Sequence, residues 1–380
     1  MRPRVLHAVE QFLSRSETFI YTYINAHQTY DASVLCNVRA NAAEFPFPRV
    51  HVCPKPDSKR SMDWWLSLAI EQATGRSPWR RCVEAVLAEV KPSILHAHFG
   101  PTACQMVEIA RAAGLPLVTS LYGVDAAVLP YLPQWSEAYA RLFDAGDVFL
   151  AEGPEMRKKI IAAGAPAERV VIQPIALRLD RYPTWAPDAV PTVLFVGRFV
   201  DKKGLDDAVT AFARARLSVA DAHMTIVGAG PDGEQAHALV SALGLSDAVS
   251  FVGMRPHGDV LARMAAAHVL LHPSRTAKDG DSEGGAPTIL LEAQAIGMPI
   301  VTTRHADVPN VVPKGPGVFL CEERDVEALS KALVTALQQR VGSSPSYVVA
   351  HHDVSRAIRG LEELYNVTSQ DHARTASVAR

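Results

Sequence analysis

Short apolar runs rich in branched side chains recur through the first part of the chain. They are Val5–Val9, Ser33–Cys36, Ile94–Phe99, Leu117–Leu121, Val148–Ala151 and Val170–Ile172. Such runs suit strands covered on both faces. Between several of them lie helix-like stretches such as Arg81–Val90 and Ala103–Ala113, and that alternation predicts parallel βα units. A second series begins at Thr192. It comprises Val193–Val196, Met224–Val227, Val249–Val252, Val269–His272, Ile300–Thr303 and Val318–Leu320, with helices between and Gly or Pro at the joins. The stretch Arg178–Pro191 carries Pro183, Pro187 and Pro191 with little apolar periodicity and reads as a linker. Asp325–Arg340 reads as a late helix with Asp325 as its cap. A last strong helix, about Val354–Tyr365, follows a polar bridge at Gly342–Ser346, and the tail from Asn366 is expected to fray. The prediction is two doubly wound, Rossmann-like α/β domains, 1–180 and 181–345, facing each other across a cleft, followed by a closing segment, 346–380. Ligands of such sheets bind beyond the carboxyl ends of the strands.

Composition narrows the function. The chain has 380 residues, a formal net charge of −2, 48% hydrophobic and 21% charged residues. That is a globular composition, and its charge argues against broad nucleic-acid binding. No run of about 18 apolar residues suggests a membrane span. The first residues enter a strand-like segment with no apolar leader before it, so a cytoplasmic protein is expected. The cysteines, Cys36, Cys53, Cys82, Cys104 and Cys321, are scattered and odd in number. Reduced, buried thiols are the simplest expectation. Asn366-Val367-Thr368 fits a glycosylation acceptor by chance.

The richest chemistry lies at Ser282-Glu283-Gly284-Gly285-Ala286-Pro287-Thr288-Ile289-Leu290-Leu291-Glu292-Ala293. An acidic residue opens a glycine-rich loop, a helix begins at its end, and a second carboxylate follows within that helix. Backbone N–H groups and the helix dipole favour phosphate, and carboxylates accept hydrogen bonds from sugar hydroxyls. Pro287 suits the first helical turn, while Gly297 and Pro299 end the helix. Taken alone, this could equally be a loop–helix–strand unit with solvated acids. After Val193–Val196 comes Gly197-Arg198-Phe199-Val200-Asp201-Lys202-Lys203-Gly204. Arg198 and Lys203 could hold a diphosphate and stabilise it as it leaves, with Lys202 solvated. Val227-Gly228-Ala229-Gly230-Pro231 reads as a tight turn placed for packing first and ligand second. The backbone at Phe251-Val252-Gly253-Met254-Arg255 could frame a flat base.

Together, these motifs from Val193 to Val312, with Pro273-Ser274 among them, resemble the retaining, two-Rossmann-domain (GT-B) glycosyltransferases of family 4. The resemblance implies that Arg198 and Lys203 contact the donor diphosphate and Glu283 the transferred sugar. It places the amides of Gly285, Ala286, Pro287 and Thr288 on phosphate and Glu292 on the ribose hydroxyls; Gly284, Met254 and Arg255 complete the donor-side candidates. It also implies that the final helix crosses back onto the first domain. The family has seven residues between the two glutamates and this chain has eight, which a one-residue insertion before Ala286 reconciles.

In the first domain, His96-Ala97-His98-Phe99-Gly100 and Ser14-Arg15-Ser16-Glu17-Thr18-Phe19 resemble loops of the exopolysaccharide, colanic-acid-type branch. Leu121-Tyr122-Gly123-Val124-Asp125 stands where the family has Phe-His-Gly-x-Asp, so Tyr122 replaces a histidine that contacts the donor sugar. A tyrosine hydroxyl binds sugar but stays neutral at pH 7, which puts acid/base work in doubt. Glu17, Thr18, His98 and Asp125 are the acceptor-side candidates. A satisfied strand-end histidine at His98, a helix cap at Asp125 and a helix-turn carboxylate at Glu17 remain equal alternatives.

Tryptophans and basic residues alternate through Lys59–Leu66 and Gly75–Arg81. They suggest peripheral contact with an anionic membrane surface, or packed tryptophans with a basic rim. The expected function is retaining transfer of a sugar from a UDP- or GDP-sugar to a glycan or lipid-linked acceptor. No cofactor and no catalytic metal are expected. The alternatives are a sugar-nucleotide epimerase of the same fold and a non-catalytic binder of sugar nucleotides or glycans.

Overall fold

The computed structural model describes residues 2–15, 17–55 and 77–378. The first sheet contains β1 (Arg4–Phe12), β2 (Asp31–Arg39), β3 (Val50–Val52), β4 (Ile94–His98), β5 (Leu117–Ser120), β6 (Val148–Ala151) and β7 (Val170–Ile172) in the order β3-β2-β1-β4-β5-β6-β7. The second contains β8 (Thr192–Val196), β9 (His223–Val227), β10 (Val249–Gly253), β11 (Val269–His272), β12 (Ile300–Thr303) and β13 (Val318–Cys321) in the order β10-β9-β8-β11-β12-β13. Neighbouring strands run parallel in both sheets. This is the two-domain Rossmann-like architecture predicted from the apolar runs.

β4, β5 and β6 are buried at every position, because helices cover both faces. Such strands need continuous apolar sequence, which is why they are easily recognised. Strand order reverses between β1 and β4 and again between β8 and β11. Loops part there to opposite faces of each sheet and leave a crevice. The two crevices face one another, and the site lies between them.

Both passages between the sheets meet at Leu177. Its N–H donates to the His352 carbonyl (2.7 Å), and its carbonyl accepts from Val354 N–H (3.0 Å). The intervening Trp185 donates from Nε1 to the Ala267 carbonyl at 2.8 Å, so this stretch lies along the second unit.

Several expectations are corrected. β3 was not predicted. It is a three-residue edge strand after Pro46 and Pro48, paired Val34↔Val50 through Cys36↔Val52. The tail does not fray at Asn366. The closing helix runs Val354–Val378; Ile358, Leu361 and Tyr365 pack into the core, and its later turns dock on the first sheet's domain through polar contacts that apolar periodicity does not reveal. Asn366 Oδ1 accepts from Tyr30 Oη at 2.9 Å, and His372 Nδ1 lies 2.8 Å from Asp147. The cysteines are not all reduced. Cys53 and Cys82 form a disulfide that ties the end of β3 to helix Pro78–Val90, leaving Cys36, Cys104 and Cys321 free.

Among the described residues, no helix is long and apolar enough to cross a membrane. Of the Trp/Arg segment, residues 59–76 lie outside the described residues. Trp79 is packed, donating from Nε1 to Asn37 Oδ1 at 2.9 Å, which at that position matches the packed-tryptophan alternative.

Candidate active site

A cleft of roughly 430 Å³ separates the two sheets. That size suits a small organic ligand. The second domain's wall is built around charge. The turn Asp201–Lys203 ends at Gly204, whose φ of 63° lets the chain reverse against the Pro273 carbonyl, where a Cβ would collide. Lys203 thereby reaches Glu283 at 2.6 Å. Glu283 also accepts from Ser274 Oγ at 3.0 Å, and its backbone N–H donates to His305 Nε2 at 3.0 Å. Burial opposes ionisation of Glu283. Lys203 and Lys202 outweigh it and hold the carboxyl well below the usual range, at about 2. This wall therefore carries a fixed carboxylate beside a fixed ammonium.

Lys202 is not solvated as expected. It is buried, with Nζ 3.0 Å from Asp281 and 3.1 Å from the Ser282 carbonyl. Buried Arg275, absent from the sequence candidates, clamps Asp201 (2.5 Å), Asp206 (2.9 Å) and Asp207 (2.6 Å). Together they join the Lys203 turn to the glycine-rich loop. Arg198 stands exposed on the cleft wall.

The glycine-rich loop leads into helix Thr288–Ile296, which Gly297 ends with a positive φ of 86°. Pro287 precedes the first helical residue rather than occupying it, and its carbonyl accepts from Leu290 N–H at 2.9 Å. Glycine is required at positions 284 and 285 because the opposite domain comes so close. A Cβ on Gly284 would strike the Tyr122 backbone and Met156, and one on Gly285 the Glu152 side chain. Glu292 is buried one turn into the helix. Its Oε1 lies 2.8 Å from His257 Nε2 and 3.4 Å from Tyr182 Oη. Burial disfavours the charged form of His257, but that hydrogen bond prevails and raises its pKa.

The first domain's wall is more aromatic and apolar, with Glu17 and Glu152 as its ionisable acids and Arg15 as its base. Glu17, Thr18, Phe19, Phe99 and Tyr122 border the cleft. Glu17 lies at the start of helix Thr18–Ala26, and burial raises its pKa. Asp125 turns away from the cleft. Its carboxylate accepts from the N–H groups of Tyr122 (3.0 Å), Gly123 (2.8 Å) and Gly100 (3.1 Å), fixing the loop that presents Tyr122. His98 is also behind the wall, its ring nitrogens 2.6 Å from Tyr122 Oη and 3.0 Å from His7 Nδ1. For His98 the satisfied strand-end alternative describes the local geometry, whereas Asp125 is not the cap of its short helix Val124–Ala127, whose start has no side-chain cap, but a brace for the loop before it.

Two acidic residues missed in the sequence join the domains. Glu152 Oε2, at the end of β6, accepts from Gly285 N–H at 3.0 Å. Burial first, then Asp125 and Glu283 nearby, push the Glu152 pKa well up, favouring the protonated form. Asp307 crosses the other way and accepts from Glu155 N–H (3.0 Å) and Met156 N–H (3.1 Å) at the start of helix Pro154–Ala162. Each is a lone carboxylate at an element's end, with no motif around it.

Among the described residues, one cluster has metal-ligand composition: buried His7, His96 and His98 behind Tyr122. Their ring nitrogens are engaged with one another or with Tyr122, Tyr365, Ser120 and His27.

Thus Tyr122, Arg198, Lys203, Met254, Arg255, Glu283 through Thr288, and Glu292 border one cleft with Glu17 and Thr18 opposite. An anionic group fits beside Lys203, Arg198 and the loop amides, and hydroxyl-rich groups fit at the two carboxylates.

The putative colanic acid biosynthesis glycosyltransferase of Escherichia coli (strain K12) is 30% identical over 259 residues, covering 67% of this chain and 63% of that protein. A GDP-mannose-dependent alpha-(1-6)-phosphatidylinositol monomannoside mannosyltransferase of Mycobacterium tuberculosis is 29% identical over 246 residues, covering 61% and 63%. Each match spans somewhat less than two thirds of the relative. Among solved structures, Anabaena HepE in complex with UDP and glucose superposes with a TM-score of 0.77 at 18% identity, covering 96% of this chain and 100% of that one. That likeness supports the GT-B fold. Residues 2–176 match the model described as glycosyl transferase 4-like domain, and residues 183–348 match glycosyl transferases group 1. The chain belongs to this glycosyltransferase family, with relatives in the colanic-acid branch.

Proposed function

We propose that this protein is a retaining glycosyltransferase that moves a sugar from a nucleotide-diphospho-sugar to a glycan or lipid-linked acceptor in polysaccharide or glycoconjugate synthesis. The observation that carries this is the line of chemistry along one wall: Glu283 held ionised by Lys203, then the glycine-rich loop, then Glu292. A sugar, a diphosphate and a ribose present their groups in that order. Met254 and Arg255 lie where a base would extend.

The diphosphate sits at Arg198, Lys203 and the loop amides, where positive charge stabilises it as its bond to the anomeric carbon breaks. Attack from the same face forms the new bond, and the acceptor's proton passes to the departing phosphate oxygen. This needs no protein nucleophile and no metal ion. Glu283 accepts from the transferred sugar's hydroxyls, and Glu292 from the ribose. The Gly285 amide donates to Glu152, so a phosphate bound at that amide takes the place of the carboxyl. Closure of the two domains excludes water and protects the donor from hydrolysis. The named substrates of relatives include GDP-mannose, and HepE was crystallised with UDP, so either base fits the proposal.

The test is transfer from UDP- and GDP-sugars to oligosaccharide and polyprenyl-linked acceptors, with the new linkage read by NMR. Retained anomeric configuration with unsupplemented protein is expected. An inverted linkage would refute the mechanism, and a sugar converted while still on its nucleotide would favour an epimerase.

A further inference from the structure

Behind Tyr122 runs a buried line of hydrogen bonds that the transfer chemistry does not use. It starts at Glu362 on the closing helix, 3.1 Å from His27 Nδ1. His27 Nε2 lies 3.0 Å from His7 Nε2, His7 Nδ1 lies 3.0 Å from His98 Nε2, and His98 Nδ1 lies 2.6 Å from Tyr122 Oη. His7 and His98 are fully buried, and the His27 side chain is 3% exposed.

The direction of each bond follows from the first. Glu362 also faces the N–H groups of Gln28 (2.8 Å) and Thr29 (3.0 Å) and the Thr29 hydroxyl (2.7 Å). An amide N–H can only donate, so this carboxyl is an acceptor. Burial works against its charge, yet the hydrogen bonds from His27 and Thr29 win and hold its pKa at about 2. His27 must then donate from Nδ1. In a neutral ring, Nε2 becomes an acceptor and takes a proton from His7 Nε2. His7 Nδ1 in turn accepts from His98 Nε2. His98 Nδ1 is left as an acceptor, and the only proton available to it is on Tyr122 Oη. Burial, followed by the neighbouring histidines, keeps His7 and His98 neutral, and burial keeps the Tyr122 proton in place. His96 packs alongside and reaches Tyr122 only through the Ser120 hydroxyl, which bonds to both. It bonds to the Tyr365 and Ser120 hydroxyls, which can turn either way.

We propose that Glu362, acting through His27, His7 and His98, fixes the direction of the Tyr122 hydroxyl, so that Tyr122 offers the cleft only hydrogen-bond acceptors. Glu362, His27, His7 and His98 are positioning residues. Tyr122 is the specificity-determining group, selecting a substrate hydroxyl that donates. The same contact makes the cleft chemistry depend on docking of the closing helix. The substrate consequence rests on the donor-site reading above; the proton arrangement does not.

The test begins with ring-nitrogen NMR of the histidines in the ligand-free protein, assigned by single substitutions. The expected result is a proton on Nδ1 of His27 and on Nε2 of His7 and His98. A proton on His98 Nδ1, or protons on both His27 nitrogens, would reverse the line and overturn the proposal. Glu362→Gln should mix the His98 tautomers, and an unchanged His98 would refute control by Glu362. His27→Phe cuts the line while leaving Glu362 its backbone donors, so it serves if Glu362→Gln does not fold. In transfer assays, both variants should lose about tenfold in kcat/KM, near the worth of one hydrogen bond. Affinity for the bare nucleoside diphosphate should not change. Tyr122→Phe should match that loss for the native donor and abolish discrimination against deoxy analogues. If Tyr122→Phe still discriminates against every deoxy analogue, Tyr122 does not select the hydroxyl. Absence of any nucleotide binding would instead fault the donor site, leaving the NMR result standing.

Discussion

The two walls of the cleft solve one problem with opposite chemistry. On the second domain, the wall is built from charges held by opposite charges: Lys203 with Glu283, Lys202 with Asp281, and Arg275 with three aspartates. On the first domain, the groups behind the wall are uncharged rings, with His7, His96 and His98 held neutral by burial. A charged wall suits an anion that must be gripped and then stabilised as it leaves. Carboxylates such as Glu283 and Glu292 accept strongly from hydroxyl groups, whereas a neutral group such as Tyr122 contributes direction without charge. On the proposed reading the second domain takes the nucleotide diphosphate and, through Glu283 and Glu292, sugar and ribose hydroxyls, while Tyr122 brings one neutral hydrogen-bonding group from the first.

The largest effect should come from the charged wall. Lys203→Ala removes the ammonium beside the departing phosphate and leaves Glu283 buried without it. We expect kcat to fall by about 10²–10³-fold, as when one preorganised stabilising group is lost. A fall of less than about tenfold would move the leaving group elsewhere.

Glu292→Ala comes next. It removes the acceptor assigned to the ribose and should weaken nucleoside diphosphate binding by about 10–100-fold, the range for a hydrogen bond to a charged group. Titration calorimetry reads this directly.

Acid should separate the two walls in stability. The buried histidines have folded pKa values below 6.5, so the unfolded chain takes up protons first as pH falls through that value. Stability from the first wall is therefore complete above about 6.5 and drains away below it. Glu283, shifted from 4.5 to about 2, keeps its contribution above 4.5 and loses it as pH falls toward 2. Glu362 shares that lower window. Melting temperature should decline in two stages, and a flat profile from pH 7 to 5 would contradict a neutral histidine core.

The smallest effect should be at the domain junction. Asp307→Asn weakens the charge at the start of helix Pro154–Ala162, worth about 0.3–1 kcal/mol for such a contact. KM should rise a few-fold with kcat nearly unchanged.

The same contrast explains what could be read from the sequence. Strands such as β4 and β8, covered on both faces, leave continuous apolar runs. The segment from Glu283 to Glu292 combines turn, helix and charge signals in ten consecutive residues. β3 is too short to show periodicity. The last turns of the closing helix dock through Asn366 and His372, so no apolar stripe announces them. Glu152, Asp307, Arg275 and His257 act through partners up to 152 residues away, and no local pattern encodes such contacts. His98 carries a recognisable motif, but its orientation depends on His7 and Tyr122 and emerges only once β1, β4 and the loop after β5 lie side by side.

Calorimetric titration of the wild type with UDP and GDP, beside Arg198→Ala and Glu292→Ala, tests the donor site most directly. Donor binding by the second domain requires one nucleotide to bind, with both substitutions weakening it. Equal affinity in all three proteins, or no binding of either nucleotide to the wild type, would contradict it.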